Sequence, residues 1–243
     1  KAGKGAGLLL ESGQVLINGS SISTNEATGF GGGMSVTYAG VTISNTSIVS
    51  NNKALDGGGI DNAYGSVTIE NSSLINNVAT RVGGAIFNWE GTATIRNGST
   101  LSGNRATYGG GAIVNSHYAT LTIAAANLQN NQAGSDLPGQ ESLGYGGAIR
   151  NDGALTISGG AILSGNTATD GGGAIFSAGT VDANDYCEIY SHVTIDKATI
   201  SGNKTTRTSE GGAIASGTCS SVTISNSTLT GNLALGGKGG AIA

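Results

Sequence analysis

The chain has 243 residues with 44 glycines, a single proline, 11% charged residues and a formal net charge of −4. Glycine does not recur at every third position as collagen requires, and the 37% hydrophobic content is too high for a disordered linker. The sequence has no basic run that would attract a nucleic acid, and no apolar stretch approaches the roughly 20 residues of a membrane helix.

The amino-terminal stretch KAGKGAGLLLESG, at residues 1–13, lacks the long apolar core of a signal peptide. We therefore expect the chain to be a mature segment or a fragment of a longer protein.

Three short markers recur in a constant order at intervals of about 26 residues. The first is a Gly-Gly-Ala-Ile-like block, whose closing apolar residues are Leu8, Met34, Ile60, Ile86, Ile113, Ile149, Ile175, Ile214 and Ile242. The second is VTI at 41–43, 67–69, 193–195 and 222–224, with the variants VLI at 15–17, ATI at 93–95 and LTI at 121–123 and 155–157. The third is Leu or Ile, two further residues and an asparagine, which is Asn25, Asn51, Asn77, Asn104, Asn131, Asn166, Asn203 or Asn232.

Each marker is short, β-branched and bounded by Gly, Asn or Ser, which is typical of a strand between two turns. No helical period of 3.6 residues is present. A repeat of about 26 residues with three strands cannot bury its own apolar side and must stack on similar neighbours. The sequence therefore predicts an all-β parallel solenoid with three strands per coil and roughly eight coils, as a single unit over residues 1–243.

Strand alternation predicts which side chains point into this solenoid. In GGAIFN at 83–88, Ile86 and Asn88 point inward and Phe87 points outward. The inward polar positions that follow the isoleucines are Asn62, Asn88, Asn115, Asn151, Ser177 and Ser216. We expect the glycine pair, and the asparagine that closes the third marker, to occupy turns with positive φ.

GGAI blocks that alternate with LINN, LSGN and ISGN blocks give the chain a resemblance to a known family over nearly its whole length. They are similar to the passenger repeats of chlamydial polymorphic outer membrane proteins and related adhesin-like autotransporters. Those repeats carry Phe where this chain has Leu or Ile. The resemblance implies a right-handed β-helix, display at a cell surface and a role in adhesion.

Two coils are longer than the others, because of insertions near residues 134–145 and 178–190. Such loops carry recognition in some solenoids and are merely tolerated in others. Cys187 and Cys219 fall in the first turn of neighbouring coils, and an even cysteine count in a secreted chain predicts a disulfide between them. No second Cys or His lies at ligand spacing, so we expect no metal site and no cofactor.

Aromatic and charged residues gather on the first strand and in the turn that follows it. Exposed rings beside acids stack on sugars or anchor a protein partner, although the same rings can also simply cover one another. The candidate ligand-binding residues are Asp61, Tyr64, Phe87, Trp89, His117, Tyr118, Arg150 and Asp152.

Two other functions use the same kind of scaffold. A pectate-lyase-like carbohydrate-active enzyme needs carboxylates about 5–10 Å apart, whereas Asp61 has Ser35 and Phe87 as its predicted neighbours, so we expect no catalytic residues. An ice-binding solenoid needs regular outward threonine rows. One row is present, but Glu70, Arg96 and Asp196 interrupt the row beside it.

We therefore expect a secreted or cell-surface structural or adhesive module that does not catalyse a reaction. Its expected partners are glycans or proteins on the surface of a host or neighbouring cell. Exposed strand edges also predict end-to-end self-association. A polysaccharide-binding or carbohydrate-active protein and an ice-binding solenoid are the alternatives.

Overall fold

The computed structural model describes residues 2–135, 142–207, 210–235, 237 and 239–243. These residues form a β-solenoid of about eight coils, in which strands of successive coils pair in parallel. The predicted fold class is therefore confirmed. The described residues include no helix of the length and apolar character needed to cross a membrane.

Each coil contributes one strand to each of four sheets, which we number in the order the chain meets them after the glycine pair. Sheet I contains β2 (Leu8–Leu10), β6 (Met34–Thr37), β10 (Ile60–Ala63), β14 (Ile86–Trp89), β18 (Ile113–Ser116), β22 (Ile149–Asn151), β26 (Ile175–Ser177) and β32 (Ile214–Ser216). Sheet II contains β3 (Gly13–Asn18), β7 (Ala39–Ser44), β11 (Ser66–Glu70), β15 (Thr92–Arg96), β19 (Thr120–Ala124), β23 (Ala154–Ser158), β29 (Ser191–Asp196) and β33 (Ser220–Ser225).

The second half of each coil supplies two shorter strands. Sheet III contains β4 (Ser21–Ser23), β8 (Ile48–Ser50), β12 (Ser73–Ile75), β16 (Thr100–Ser102), β20 (Asn127–Gln129), β24 (Ile162–Ser164), β30 (Thr199–Ser201) and β34 (Thr228–Thr230). Sheet IV contains β1 (Ala2–Lys4), β5 (Ala27–Phe30), β9 (Lys53–Asp56), β13 (Val78–Val82), β17 (Arg105–Ala106), β21 (Gln132–Ala133), β25 (Thr167–Ala168), β31 (Lys204–Thr205) and β35 (Leu233–Ala234).

The prediction of three strands per coil is wrong, because sheet IV is a fourth. Five of its strands, including β17 and β21, have only two residues, so they are too short to show an alternating apolar pattern. Their inward residue is usually a small alanine, as at Ala79 and Ala106, which are buried. A single inward alanine per coil leaves almost no periodic signal in a sequence.

The core consists of aliphatic ladders that run along the solenoid. The register pairs Ile60 with Ile86 and Ile86 with Ile113, and all three side chains are fully buried. Sheet III adds a leucine-rich ladder that includes Leu74 and Leu101. The predicted inward direction of the first-marker isoleucines is therefore confirmed.

An amide ladder runs beside the sheet I isoleucines. The Nδ2 of Asn62 donates to Oδ1 of Asn88 at 2.7 Å, Asn88 donates to Asn115 at 2.8 Å, and Asn115 donates to Asn151 at 2.8 Å. These asparagines are fully buried, as the alternation predicts. The ladder starts at Asn62 because the preceding coil has Val36 in this register, which leaves Oδ1 of Asn62 without a hydrogen-bond partner.

A second amide ladder follows sheet III, and it corrects the sequence prediction for the third marker. In the second coil the ladder residue is Asn52, which follows the third-marker Asn51, and it is fully buried. The positive φ belongs to the residue before each ladder asparagine. The predicted positive φ is therefore right at Asn51 (φ 55°) but wrong at the other third-marker asparagines, for example Asn104, where the preceding Gly103 has it (φ 65°). The ladder asparagine itself points inward: the amide of Asn52 bonds backbone groups of the preceding coil and donates to Oδ1 of Asn77 in the following coil.

The second insertion forms an antiparallel hairpin of β27 (Thr180–Val181) and β28 (Cys187–Ile189). A disulfide joins Cys187 on this hairpin to Cys219 in the next coil. In the first insertion, Ser135 and Ser142 form an antiparallel bridge. Residues 136–141 of that predicted insertion lie outside the described residues.

Candidate functional site

The outer face of sheet I forms the floor of a groove, which we call the sheet I groove. Between the inward isoleucine and the inward asparagine of each coil, one residue faces outward. In four neighbouring coils this floor residue is nevertheless buried, and the four are Ser35, Asp61, Phe87 and Val114. Because side chains on either side cover these floor residues, a ligand in the groove would contact the protein on more than one side.

One wall of the groove begins at a glycine corner between sheets IV and I. Gly57 has φ 58° and Gly83 has φ 68°, so the predicted positive φ is confirmed at one glycine of each block. A Cβ on Gly57 would clash with the carbonyl oxygen of Ile60. Only glycine fits this tight corner. The residues just before the corner lie on the wall of the groove.

A cavity of about 370 Å³ lies in the groove, between strands of sheet IV and strands of sheet I. Its lining combines four aromatic rings, one acid, two basic side chains and an alanine, which are Lys4, Phe30, Asp61, Ala63, Tyr64, Arg81, Phe87 and Trp89. The structure thus brings together four of the eight candidate residues: Asp61, Tyr64, Phe87 and Trp89. We call this cavity the Asp61 pocket.

Asp61 is the acidic group of the pocket floor, and it is 4% exposed. Its Oδ2 accepts a hydrogen bond of 2.9 Å from the hydroxyl of Ser35, its one hydrogen-bond partner among the described residues. Burial raises the pKa of Asp61 from 3.8 to about 6, against smaller lowering effects of the Ser35 hydrogen bond and of Lys4. The carboxylate is therefore ionised at neutral pH with little compensation from the protein.

Sequence reasoning did not find the wall that faces this acid. Arg81 donates from Nε to Oδ1 of the fully buried Asp56 at 2.7 Å, and its Nη2 bonds the other carboxylate oxygen. The Nζ of Lys4 lies 5.6 Å from the ring centroid of Phe30. Phe30, Asp56 and Arg81 each stand one or two residues before a glycine corner, and that position is the signal by which they could have been found.

The predicted aromatic edge divides into two groups. The rings of Tyr38 and Tyr64 stack with centroids 5.0 Å apart. In the next coils the rings of Trp89 and His117 are 3.7 Å apart, and Phe87 lies 6.0 Å from Trp89. The rings of each group cover one another, yet Tyr64 and Trp89 still line the Asp61 pocket. The candidate Tyr118 is 70% exposed and is not among the pocket residues.

Arg150 and Asp152 form a separate polar cluster, two coils from the pocket. The Nε of Arg150 donates to Oδ1 of Asp152 at 3.3 Å, and burial raises the pKa of Asp152, although Arg150 opposes this. Ser116, which sequence reasoning missed, lies between Asp152 (3.5 Å) and Nδ1 of His117 (3.2 Å). A catalytic triad needs the histidine between the serine and the acid, so these three residues are not arranged as a Ser-His-Asp triad.

A smaller cavity of about 190 Å³ lies further along the groove. Its lining includes Tyr145 and Phe176, with ring centroids 4.8 Å apart, and the acids Asp170 and Glu210. Within the described ranges, no group of three or more His, Cys, Asp or Glu residues is placed to hold a metal ion.

The threonine row on sheet II is a third surface feature. The register aligns Thr42, Thr68, Thr94, Thr122, Thr156, Thr194 and Thr223. In the neighbouring row, Arg96 and Glu70 form an ion pair of 2.9 Å, so the charges break its regularity. The ice-binding alternative stays a prediction, and shaping of ice crystals that is lost in Thr94→Tyr would support it.

The comparisons with known proteins agree with this architecture. Residues 98–116 and 160–178 match the sequence model of the Chlamydia polymorphic membrane protein repeat. Both segments cover the same part of a coil, from sheet III across the ladder asparagine and the glycine corner to sheet I. No curated protein and no solved structure matches the chain.

A parallel β-solenoid and these two matched segments together fit a surface-associated β-helix module. Two coils of this chain are thus similar to the Chlamydia polymorphic membrane protein repeat, as the GGAI and Leu-x-x-Asn blocks predicted.

Proposed function

We propose that this chain is a surface-exposed adhesive module that binds its ligand along the sheet I groove. One observation carries the proposal: a buried, poorly compensated carboxylate and four aromatic rings line one cavity of the groove. Apolar rings with a few polar groups at fixed positions are typical of ligand-binding sites.

Comparison with the neighbouring coils indicates that the fold does not require a carboxylate at position 61. The floor position it occupies is Ser35 in one neighbouring coil and Phe87 in the other, and Val114 follows in the next. A neutral side chain therefore satisfies this position in the same fold. A buried carboxylate costs free energy unless it is paired, so a role in binding accounts for its presence.

The proposed ligands are glycans or proteins on the surface of a host or neighbouring cell. Exposed tryptophan and tyrosine side chains supply large contact areas with a polar tip, which suits both sugars and protein surfaces. A solenoid of stacked ladders holds this edge rigidly, so little ordering entropy is lost when a ligand binds.

Binding of the purified chain to immobilised acidic polysaccharides, neutral polysaccharides and cell-surface glycoproteins tests the proposal. We expect saturable binding to at least one class, and a loss of about tenfold in affinity in Trp89→Ala, because aromatic anchors dominate such interfaces. Leu16→Ala is the matched control, since Leu16 is an exposed apolar residue on sheet II. Equal loss in both variants, or binding to none of the surfaces, would contradict an adhesive groove.

A carbohydrate-active enzyme is the second candidate, and the pKa of Asp61, at about 6, favours it. A carboxyl group in this range can donate a proton near neutral pH. The nearby Asp56 is held by Arg81, so it is poorly placed to act as the second carboxylate of a hydrolase. Sustained release of reducing ends from a polysaccharide, abolished in Asp61→Asn, would replace the adhesive proposal with this one.

A further inference from the structure

We propose that the Asp61 pocket binds a positively charged alkylammonium group, with Asp61 as its counter-ion and the surrounding rings as its cage. The inference deepens the proposed function and rests on it, because it takes the sheet I groove as the ligand-binding face. It adds the chemical class of the group that the pocket accepts.

The rings supply the first argument. Phe30 lies on the wall formed by sheet IV, Phe87 on the floor, and Tyr64 and Trp89 on the opposite edge. The face of an aromatic ring attracts a cation, and the attraction is strongest in tryptophan and at desolvated sites. Rings on three sides of one cavity are therefore better suited to a bulky cation than to an anion.

The charge balance supplies the second argument. Arg81, which also lines the pocket, is already paired with the buried Asp56, so that pair carries no net charge. Asp61 has Ser35 as its hydrogen-bond partner, and a hydroxyl group brings no positive charge. The charge of Lys4 compensates this carboxylate in part. A neutral sugar would add only a hydrogen bond to the carboxylate, whereas a cationic ligand in the pocket would also compensate its charge by direct contact.

Lys4 supplies the third argument, since the chain already places one ammonium group at the rim of the pocket. Its Nζ lies 5.6 Å from the centroid of Phe30, within the range of a cation–π contact. Lys4 is exposed and belongs to the first strand of sheet IV, so its long side chain can swing away. An incoming ammonium group would compete with Lys4 for the same ring and the same carboxylate.

Calorimetric titration with choline tests the inference, and 3,3-dimethyl-1-butanol is the matched probe because it is the neutral carbon isostere of choline. We expect choline to bind about tenfold tighter than the isostere or better. Equal affinity of the two probes, or no binding of choline, would overturn the inference. An apolar pocket that selects by shape alone would give equal affinities.

Three variants test which residues form the choline-binding site. Asp61→Asn is expected to weaken choline binding about tenfold or more, and Asp196→Asn, the same change on sheet II, to leave it unchanged. Lys4→Met is expected to tighten binding about twofold to fivefold, because it removes the competing cation. Weaker binding of choline in Lys4→Met would overturn the inference, since Lys4 would then support the binding site instead of competing with the ligand. Thermal melting of each variant verifies that it is folded.

Phosphocholine and a peptide that contains Nε-trimethyl-lysine distinguish two sources of the same chemistry. Tighter binding of phosphocholine would indicate a headgroup, and tighter binding of the peptide would indicate a protein side chain. Both results support the ammonium pocket. Failure of the choline titration with intact binding to a polysaccharide would refute this inference alone, whereas choline binding without any surface binding would refute the adhesive function alone.

Discussion

At the scale of single residues, Asp61 departs most clearly from what the scaffold requires. Its backbone position in β10 follows from the repeat, and its neighbours Ser35 and Phe87 follow from the register. The cavity beside it does not follow from the repeat, because Tyr64 and Trp89 lie where sheet I ends and Phe30 comes from another sheet. Burial of the carboxylate is what raises its pKa.

The buried carboxylate of Asp61 makes stability depend on pH. Its pKa in the folded chain is about 6, above the ordinary 3.8, so the folded state binds the proton more tightly than the unfolded state. The resulting stabilisation is complete below about pH 4 and is lost as the pH rises through 6. The difference between the two values corresponds to about 3 kcal/mol of destabilisation at pH 7.

Asp61→Asn removes this ionisation while keeping an oxygen that accepts from Ser35. We expect the variant to exceed the parent in free energy of unfolding by about 3 kcal/mol at pH 7 and by less than about 1 kcal/mol at pH 4. Urea unfolding at both pH values measures the difference. A gain of the same size at pH 4 and pH 7 would show that the Asp61 carboxylate is not buried in this way.

At the scale of elements, the ladders between coils replace the contacts that each short strand lacks. Sheet III strands have only three residues, but each is followed by an asparagine whose amide joins three coils. In Asn104, Nδ2 donates to the carbonyl of Leu74 and to Oδ1 of Asn131, both at 3.0 Å. Its Oδ1 accepts from the backbone and side-chain nitrogens of Asn77.

Asn104→Ala is expected to lower the free energy of unfolding by about 3 kcal/mol or more, because it leaves several buried polar groups without partners. Chemical denaturation measures the loss. Asn97→Gly is the control: Asn97 is exposed at φ 55°, a conformation that glycine also adopts, so its change should stay within about 0.5 kcal/mol. Similar losses in the two variants would mean that the ladder contributes little.

The disulfide acts on one element, because it ties the β27–β28 hairpin to the following coil. Its cysteines are 32 residues apart, and the chain-entropy model gives about 3–4 kcal/mol for closing such a loop. Replacing both cysteines with serine should therefore lower the melting temperature under oxidising conditions and leave it unchanged by dithiothreitol. Two free thiols in the parent chain, found by mass spectrometry under non-reducing conditions, would exclude the bond.

At the scale of the whole molecule, the four sheets are open at the first and last coils described. Sheet II ends in β3 and β33, and sheet IV ends in β1 and β35, each of which pairs with one neighbouring strand only. Unpaired parallel strand edges with apolar residues beneath them are templates for another chain.

We therefore expect purified chains of these residues to associate end to end as their concentration rises. Sedimentation velocity over a hundredfold range of concentration measures this association. Lysine substitutions on the outer edges of β1 and β35 should suppress it, because charged residues protect strand edges. A single monomeric species throughout that range would contradict the prediction.

The repeat period in the sequence was enough to predict which residues of successive coils lie one above another. The Ile86 ladder, the amide ladder of Asn88 and the neighbours of Asp61 all follow from an offset of about 26 residues, because stacking in register is the way such a short coil buries its apolar side. The pairing of Cys187 with Cys219 was also predicted from their positions in adjacent coils, and the structure contains it.

The period does not describe how the coil bends between its strands. Sheet IV has too few residues for a recognisable pattern, and the position of Arg81 and Phe30 opposite Asp61 depends on the angle of the glycine corner. The second ladder shows the same limit, because Asn51 and Asn52 are adjacent and the stacked amides select Asn52. Contacts along the solenoid repeat with the sequence, whereas contacts across the groove depend on backbone turns that leave no periodic trace in it.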